Sequence, residues 1–149
     1  MKKKKLLISA VAAVSVLGSA QSAFAISGIA DTLTNPIPLG LGSNYSSYVD
    51  YMDGDWFSYT NTTSSNVSII YGVYPNSYSS GANFDVTALL QDPSGNYIPI
   101  GTLSDNGAGY GDYGTGSLAP GFKIIWRVFG HSGSDYGSSK PYTAYVSRN

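Results

Sequence analysis

The stretch FDVTALLQDPSGN, at residues 84–96, decides the fold of this chain. Its apolar side chains recur at every second position: Phe84, Val86, Ala88 and Leu90. This period places them on one face of a β-strand. The DPSGN segment that follows combines a proline, which fixes φ, with a glycine that can adopt left-handed backbone. The stretch therefore predicts a strand that enters a tight turn, with the return strand beginning at Tyr97.

Short alternating segments of the same kind recur along the rest of the chain. They predict strands at residues 56–60, 67–73, 122–129 and 142–147, with a further short strand near 48–51. We expect the 84–96 strand to be central, flanked by the first and third of these. The glycine-rich segment 104–117 is interpreted as a long surface loop, because ordering glycine is costly in backbone entropy. This pattern predicts an all-β protein, an antiparallel β-sandwich of seven to nine strands.

The N-terminus has the features of a secretory signal peptide. Lys2 to Lys5 precede an apolar run at 6–17, and the small residues Ala23 and Ala25 mark a cleavage site after residue 25. The apolar run is shorter than the roughly 20 residues that a transmembrane helix needs. We therefore expect a secreted, extracellular protein with no membrane span in the mature chain.

The mature chain is divided into two parts. Residues 26–50 are interpreted as an N-terminal lead-in and edge segment, because Pro36 and Pro38 lack the amide hydrogen atoms that a central strand needs. Residues 51–149 are interpreted as the sandwich domain. The chain contains no cysteine, so no disulfide supports the domain and its stability must come from the packed core.

Removal of residues 1–25 changes the charge balance. Four of the eight Lys and Arg residues leave with the signal peptide, whereas all nine acidic residues, each an Asp, remain and give a net charge of −5. The remaining cations are sparse: Lys123, Arg127, Lys140 and Arg148. Nucleic acids and anionic lipids bind to clustered basic side chains. We therefore expect no nucleic-acid partner.

Asp50, Asp53 and Asp55 form the densest acidic group and are the candidate metal ligands. Calcium prefers carboxylate and carbonyl oxygen atoms presented by a turn, which the DGD segment at 53–55 can supply. The spacing is not that of an EF-hand loop. The alternative is that the three residues form turns and cap a strand in contact with solvent. Apart from calcium, we expect no cofactor.

Catalytic sites find little support in the sequence. His131 is the only histidine, so a Ser-His-Asp triad would have to use it. The chain contains no Glu and no G-x-S-x-G motif. The first absence argues against a glycosidase and the second against a serine hydrolase. Asp85, on the outer face of its strand, is interpreted as solvated or paired with Arg127 or Lys123. We expect no enzymatic activity.

The order of the segments resembles the bacterial pre-peptidase C-terminal domain, a jelly-roll-like β-sandwich that usually follows a secreted peptidase. The matching pieces are DWFSY at 55–59, DVTALLQD at 85–92, GN at 95–96, APG at 119–121 and YTAYV at 142–146. The resemblance covers the chain from about residue 51 and implies a jelly-roll fold without catalytic activity. Thr87 stands where the family pattern has a second Asp, so no metal site is implied on that strand.

Tyrosines in loops and at strand ends are the candidate ligand-binding residues. The chain has thirteen tyrosines together with many Ser, Gly and Asn residues, a composition typical of adaptable binding surfaces. The candidates are Tyr74, Tyr78, Tyr110, Tyr113 and Tyr136. The alternative is that tyrosine simply suits a half-buried β-surface.

These observations predict a secreted, non-catalytic β-sandwich that binds an extracellular polymer, either a polysaccharide or a protein, through its loop tyrosines. The alternative is a secreted interaction or assembly protein, such as a matrix subunit, an antagonist or a toxin-like factor. A hydrolase is the third hypothesis. The sequence leaves the ligand and the oligomeric state open.

Overall fold

Nine β-strands account for most of the regular structure in residues 30–149, the part of the chain that the computed structural model describes. In chain order they are β1 (Ile37–Pro38), β2 (Ser43–Ser47), β3 (Asp55–Thr60), β4 (Val67–Pro75), β5 (Phe84–Gln91), β6 (Tyr97–Thr102), β7 (Asp112–Leu118), β8 (Lys123–Gly130) and β9 (Tyr142–Arg148). Two single-turn 3₁₀ helices, Tyr78–Ser80 and Gly133–Asp135, lie in loops. No helix in this range is long and apolar enough to cross a bilayer. The signal peptide predicted at 1–25 lies outside the described residues.

The strands form two sheets, with the strand orders β1-β3-β8-β5-β6 and β2-β9-β4-β7. Neighbouring strands are antiparallel except β1 and β3, which form a short parallel pair at one edge. The pairs β2–β9, β3–β8, β4–β7 and β5–β6 alternate between the two sheets. This is the order produced when a long hairpin, with β5 and β6 at its tip, rolls up into a sandwich. The predicted all-β antiparallel sandwich of jelly-roll type, with seven to nine strands, is confirmed.

Alternating side chains from both sheets fill the space between them. In β5, Phe84 and Val86 are fully buried, as their period-two spacing predicts. Trp126 of β8 is also fully buried, and its ring centroid lies 5.8 Å from that of Phe57 and 5.6 Å from that of Tyr71 in the opposite sheet. Burying one large apolar side chain contributes about 1.5–3 kcal/mol. Contacts of this kind hold the two sheets together.

Three details of the predicted strand map are wrong. The short strand near 48–51 lies earlier, at β2, where the backbone pairs with β9. Strand β7 occupies part of the glycine-rich segment predicted as a loop, and of its residues only Asp112 and Leu118 are buried. It therefore lacks the apolar alternation by which a strand is recognised. The neighbours of β5 also differ from the prediction. Strands β8 and β6 flank β5, and β8, which lies between β3 and β5, is the central strand of its sheet.

The antiparallel path places successive connections at alternate ends of the sandwich. One end has short turns, at residues 61–66, 92–96 and 119–122. The other end, which we call the loop-bearing end, carries longer loops at residues 48–54, 76–83, 103–111 and 131–141. These loops are bonded to one another: Gly109 N–H donates to Ala82 O (2.7 Å) and Gly137 N–H donates to Val49 O (2.8 Å). The loop-bearing end is therefore an ordered surface.

Replacing Gly72 with Ala is expected to destabilise the sandwich by about 1–3 kcal/mol. A Cβ atom at Gly72, in β4, would lie 2.1 Å from the carbonyl oxygen of Asp112 and 2.7 Å from Cα of Tyr113. Both are backbone atoms of the neighbouring strand β7, so neither can rotate away. Urea unfolding measures the change in the free energy of unfolding. Gly116→Ala in β7 is the matched control, because a Cβ atom there meets nothing within 4 Å. Equal losses in the two variants would contradict the close approach of β4 and β7.

Candidate functional site

An open groove at the loop-bearing end brings together three of the five predicted tyrosines. Its volume is about 480 Å³, and its lining is Val73, Tyr74, Asn106, Tyr110, Gly111, Tyr113 and Tyr145. Tyr74, Tyr110 and Tyr113 expose 43%, 54% and 50% of their surface. The ring of Tyr74 packs against that of Tyr145, with the centroids 5.6 Å apart. We call this feature the tyrosine groove.

Tyr78, the fourth predicted tyrosine, adjoins the tyrosine groove through Tyr110. The two rings meet edge to face with their centroids 5.2 Å apart, and their hydroxyl oxygens are 3.0 Å apart. Gly109 makes this contact sterically feasible, since its φ is +83° and a Cβ atom there would lie 2.9 Å from the carbonyl oxygen of Tyr78. Part of the glycine-rich segment thus serves to close the 103–111 loop against the 76–83 loop.

Tyr136, the fifth predicted tyrosine, lies elsewhere at the loop-bearing end. Its hydroxyl donates a hydrogen bond to Gly130 O (3.2 Å), and its ring centroid lies 5.6 Å from that of Tyr51. The side chain is partly buried against the core. Tyr136 therefore has a packing role in this structure and does not line the groove.

Three aspartates gather beside the start of β3. Carboxylate oxygen atoms of Asp31, Asp53 and Asp55 all lie within 4.8 Å of one another. Sequence reasoning placed Asp50 in this group, whereas the structure brings in Asp31 from the N-terminal segment. Asp50 remains close enough for its charge to raise the pKa of Asp55. We call Asp31, Asp53 and Asp55 the aspartate cluster.

Asp55 is the buried member of the aspartate cluster, with 5% of its surface exposed. Burial raises its pKa to about 7, and the charges of the other aspartates act in the same direction. The hydroxyl of Tyr142 donates a hydrogen bond to Asp55 Oδ2, which opposes this rise in the pKa of Asp55. No Lys or Arg among residues 30–149 forms an ion pair with the cluster. Within this range, repulsion among the three carboxylates is therefore not relieved by an ion pair.

The chemistry of the aspartate cluster suits a hard divalent cation. Asp31 Oδ1 is buried and has no hydrogen-bond partner among the described residues, so one carboxylate oxygen is left open. Asp53 Oδ1 accepts a hydrogen bond from Gly54 N–H (2.7 Å), which orients that carboxylate. Calcium takes several carboxylate oxygens as ligands. Its positive charge would offset the repulsion among the three carboxylates.

A second titratable cluster lies at the same end, around His131. Nδ1 of His131 lies 3.1 Å from Asp85 Oδ1 and 3.6 Å from Asp105 Oδ2. Asp85 is therefore paired with His131 and not with Arg127 or Lys123. The strand register explains this difference, because Lys123 lies opposite the far end of β5, and the Arg127 guanidinium stacks on aromatic rings. The carboxylate of Asp85 raises the pKa of His131.

The residues after His131 are engaged in a local structure. Ser132 Oγ donates a hydrogen bond to Asp135 Oδ2 (2.6 Å), and Ser132 N–H donates to the same oxygen (3.0 Å). Asp135 also accepts a hydrogen bond from Asn83 N–H at 3.0 Å. These bonds cap the 3₁₀ helix Gly133–Asp135 and tie it to the start of β5. Ser132 and Asp135 thus stabilise a loop.

Sequence reasoning missed three residues of these sites: Asp31, Asp105 and Tyr145. Each reaches its site through tertiary structure, since none is adjacent in sequence to its partners. The contact between Asp85 and His131 depends on the register of β5 against β8. Phe84 lies opposite Gly130, so Asp85 and His131, which follow these two residues in sequence, are diagonal neighbours. No local pattern in the sequence indicates this register.

A scan against protein-family models finds no match to the chain, and a search of curated proteins finds none. Among solved structures, the chain is similar to the pre-peptidase C-terminal domain of collagenase from Bacillus anthracis, with 18% sequence identity and a TM-score of 0.49. The similarity covers 75% of this chain and 94% of that chain. That domain belongs to the family that the sequence resembles.

Ionisation of Asp55 is expected to lower the free energy of unfolding as the pH rises from about 4 to about 7 without divalent cations. The folded chain holds this proton up to about pH 7, whereas the unfolded chain releases it near 3.8. Asp55→Asn keeps an acceptor for the Tyr142 hydroxyl and cannot ionise. The free energy of unfolding of this variant should exceed that of the parent by an amount that grows with pH. The difference should be near zero at pH 4 and at most about 4 kcal/mol above pH 7, at 1.36 kcal/mol per pKa unit.

Urea unfolding in a chelator, between pH 4 and pH 8, measures this difference. The control is Asp92→Asn, because hydrogen bonds from Asn96 lower the pKa of the exposed Asp92 carboxylate. The free energy of unfolding of that variant should fall relative to the parent as the pH rises. This change is opposite in sign to the one expected for Asp55→Asn. A difference between Asp55→Asn and the parent that does not change with pH would contradict the raised pKa of Asp55.

Proposed function

We propose that the chain is a secreted β-sandwich module that binds an extracellular polymer in the tyrosine groove. The observation that carries this proposal is the convergence of Tyr74, Tyr110 and Tyr113, each about half exposed, on one open groove. Exposed aromatic side chains held by ordered loops are typical of binding surfaces. An open groove accepts an internal segment of a long chain, which a closed pocket does not. The proposal that the protein is secreted depends on the signal peptide predicted at residues 1–25.

The lining of the groove favours a ligand without charge. None of the lining residues carries a formal charge at neutral pH. The tyrosine rings offer apolar faces, and their hydroxyls both donate and accept hydrogen bonds. Sugar rings combine apolar C–H faces with hydroxyl groups and match both features. A neutral polysaccharide is therefore the favoured class, with an extracellular protein as the alternative polymer.

Calcium in the aspartate cluster is the second part of the proposal. The cluster joins the N-terminal segment, through Asp31, to the start of β3, through Asp55. Asp55 is bonded to Tyr142 of β9, and the same strand carries Tyr145 into the groove. A cation held by the cluster would thus fix elements that also support the groove.

A non-catalytic role fits the placement of the titratable groups. General acid–base catalysis needs a proton donor or acceptor within about 2.6–3.2 Å of the reacting atom. The groove lining offers only tyrosine hydroxyls and the amide of Asn106. No carboxylate or imidazole lines it. The groove is therefore suited to binding and poorly suited to proton transfer.

Replacing Tyr110 or Tyr113 with Ala is expected to weaken polymer binding at least about tenfold. Truncating an aromatic residue at the centre of an interface costs about 2 kcal/mol or more, and about 1.4 kcal/mol corresponds to a tenfold change. The measurement is retention of the chain on peptidoglycan, cellulose, chitin and collagen in a pull-down, followed by a binding isotherm on whichever polymer retains it.

Tyr97→Ala in β6 is the matched control for these two variants. Tyr97 exposes 44% of its surface, which is comparable to Tyr113, yet it lies outside the groove. This control should bind like the parent chain. Failure of all four polymers to retain the parent would defeat the proposal. Unchanged binding by both Tyr110→Ala and Tyr113→Ala would defeat it equally.

Millimolar Ca²⁺ is expected to raise the melting temperature of the chain by about 5 °C or more, because an ion that binds only the folded state stabilises it. Asp53→Asn removes one carboxylate of the aspartate cluster and should abolish this rise. Asp105→Asn, in the other cluster, is the control and should keep it. If the parent chain shows no thermal shift in Ca²⁺, the calcium part of the proposal is wrong.

A further inference from the structure

We propose that Asp85, Asp105 and His131 form a binding site for a divalent transition-metal ion such as Zn²⁺. The residues come from three elements: β5, the 103–111 loop and the loop that follows β8. One ligand atom from each lies within 4.8 Å of the other two. This site is separate from the aspartate cluster, and it does not depend on polymer binding in the tyrosine groove.

The spacing of the ligand atoms matches a small coordination sphere. Nδ1 of His131 is 3.1 Å from Asp85 Oδ1 and 3.6 Å from Asp105 Oδ2. Atoms that bind Zn²⁺ tetrahedrally at about 2.0–2.1 Å lie about 3.3–3.4 Å apart. Small side-chain movements therefore bring all three atoms to coordinating distance. The side chains of His131 and Asp105 are 48% and 43% exposed, so an ion can enter from solvent.

The imidazole of His131 determines which metal the site prefers. Calcium and magnesium take oxygen ligands, whereas imidazole nitrogen suits Zn, Cu, Fe and Ni. The aspartate cluster offers oxygen atoms only, so the two clusters should select different cations. His131 is the only histidine of the chain, and the chain has no cysteine. No second nitrogen–carboxylate or thiolate site of this kind can therefore form within one chain.

Asp112 supplies an independent reason to expect a cation at this place. Its surface is 1% exposed, and its Oδ2 has no hydrogen-bond partner among the described residues. Its Oδ1 accepts a hydrogen bond from the N–H of Asn106, the residue next to Asp105 (2.9 Å). Burial raises the pKa of Asp112 to about 6; the charges of Asp105 and Asp85 add to this rise, whereas the charge of His131 opposes it. A buried carboxylate with one open oxygen atom is thus hydrogen-bonded to the loop that carries Asp105, and a cation bound nearby would compensate its charge.

Asn83 holds two of the proposed ligands in position. Its Nδ2 lies 3.3 Å from Asp105 Oδ1 and donates a hydrogen bond to it, which leaves Oδ2 to face His131. The backbone N–H of His131 donates a hydrogen bond to Asn83 O (3.1 Å), which fixes the backbone position that carries the imidazole. Outer contacts of this kind orient the ligands of metal sites. Ion binding would then tie the 103–111 loop to β5 and β8.

A titration of the untagged chain with Zn²⁺ tests the proposal by NMR. The imidazole ¹H–¹⁵N spectrum contains a single residue, because the chain has one histidine. We expect the Nδ1 signal to shift on binding and to saturate at one Zn²⁺ per chain. Calorimetry should give the same stoichiometry, with at least about tenfold weaker binding for Asp105→Asn and loss of the site for His131→Ala. Asp53→Asn is the matched control and should bind Zn²⁺ like the parent.

Several results would overturn the proposal. One is an imidazole signal that does not move in Zn²⁺, which would leave Asp85 and His131 as a simple ion pair. Another is Zn²⁺ binding that survives in His131→Ala but is lost in Asp53→Asn, which would place the ion in the aspartate cluster. A third is an equal shift of the imidazole signal by Ca²⁺. Circular dichroism of each variant confirms that it is folded before binding is compared.

Discussion

The packing of Trp126 between the two sheets is the contact on which the rest of the structure depends. Its indole ring touches Phe57 in its own sheet and Tyr71 in the facing sheet. Because Trp126 lies in β8, the strand between β3 and β5, it lies opposite Phe57 in one neighbour and Ala88 in the other. The chain has no disulfide, so this apolar contact and those around it must hold the sandwich closed.

The antiparallel order of the strands then decides where the chemistry of the protein lies. Since successive connections fall at alternate ends, the four longer loops of the described chain meet at one end and the short turns at the other. The tyrosine groove, the aspartate cluster and the His131 cluster all lie at the loop-bearing end. A rigid sandwich with variable loops at one end allows binding chemistry to be assembled without disturbing the core. The burial of Asp55 and Asp112, which raises the pKa of each, is the cost of placing carboxylates where the loops meet the core.

Much of the fold could be read from the sequence, because side-chain alternation and turn residues are local signals. Strands β5, β8 and β9 follow their period-two patterns, and the DPSGN turn leads into β6 as expected. Strand β7 could not be recognised, since backbone pairing with β4 holds it and most of its side chains are exposed. The sequence predicted only some of the residues in each site. Asp53 and Asp55 are close in sequence and were found together, whereas Asp31 joins them only through the fold. The contact of Asp85 with His131 depends on a strand register that no local pattern encodes.

We propose that Ca²⁺ and Zn²⁺ both bind at the loop-bearing end of the sandwich. Amide chemical-shift mapping of the ¹⁵N-labelled chain, first with Ca²⁺ and then with Zn²⁺, tests this placement. We expect chemical-shift changes around residues 31 and 50–55 for Ca²⁺, and around 83–85, 105–106 and 131 for Zn²⁺. The turns at 61–66, 92–96 and 119–122 should keep their positions in the spectrum. Shifts that are largest in those turns would contradict binding at the loop-bearing end.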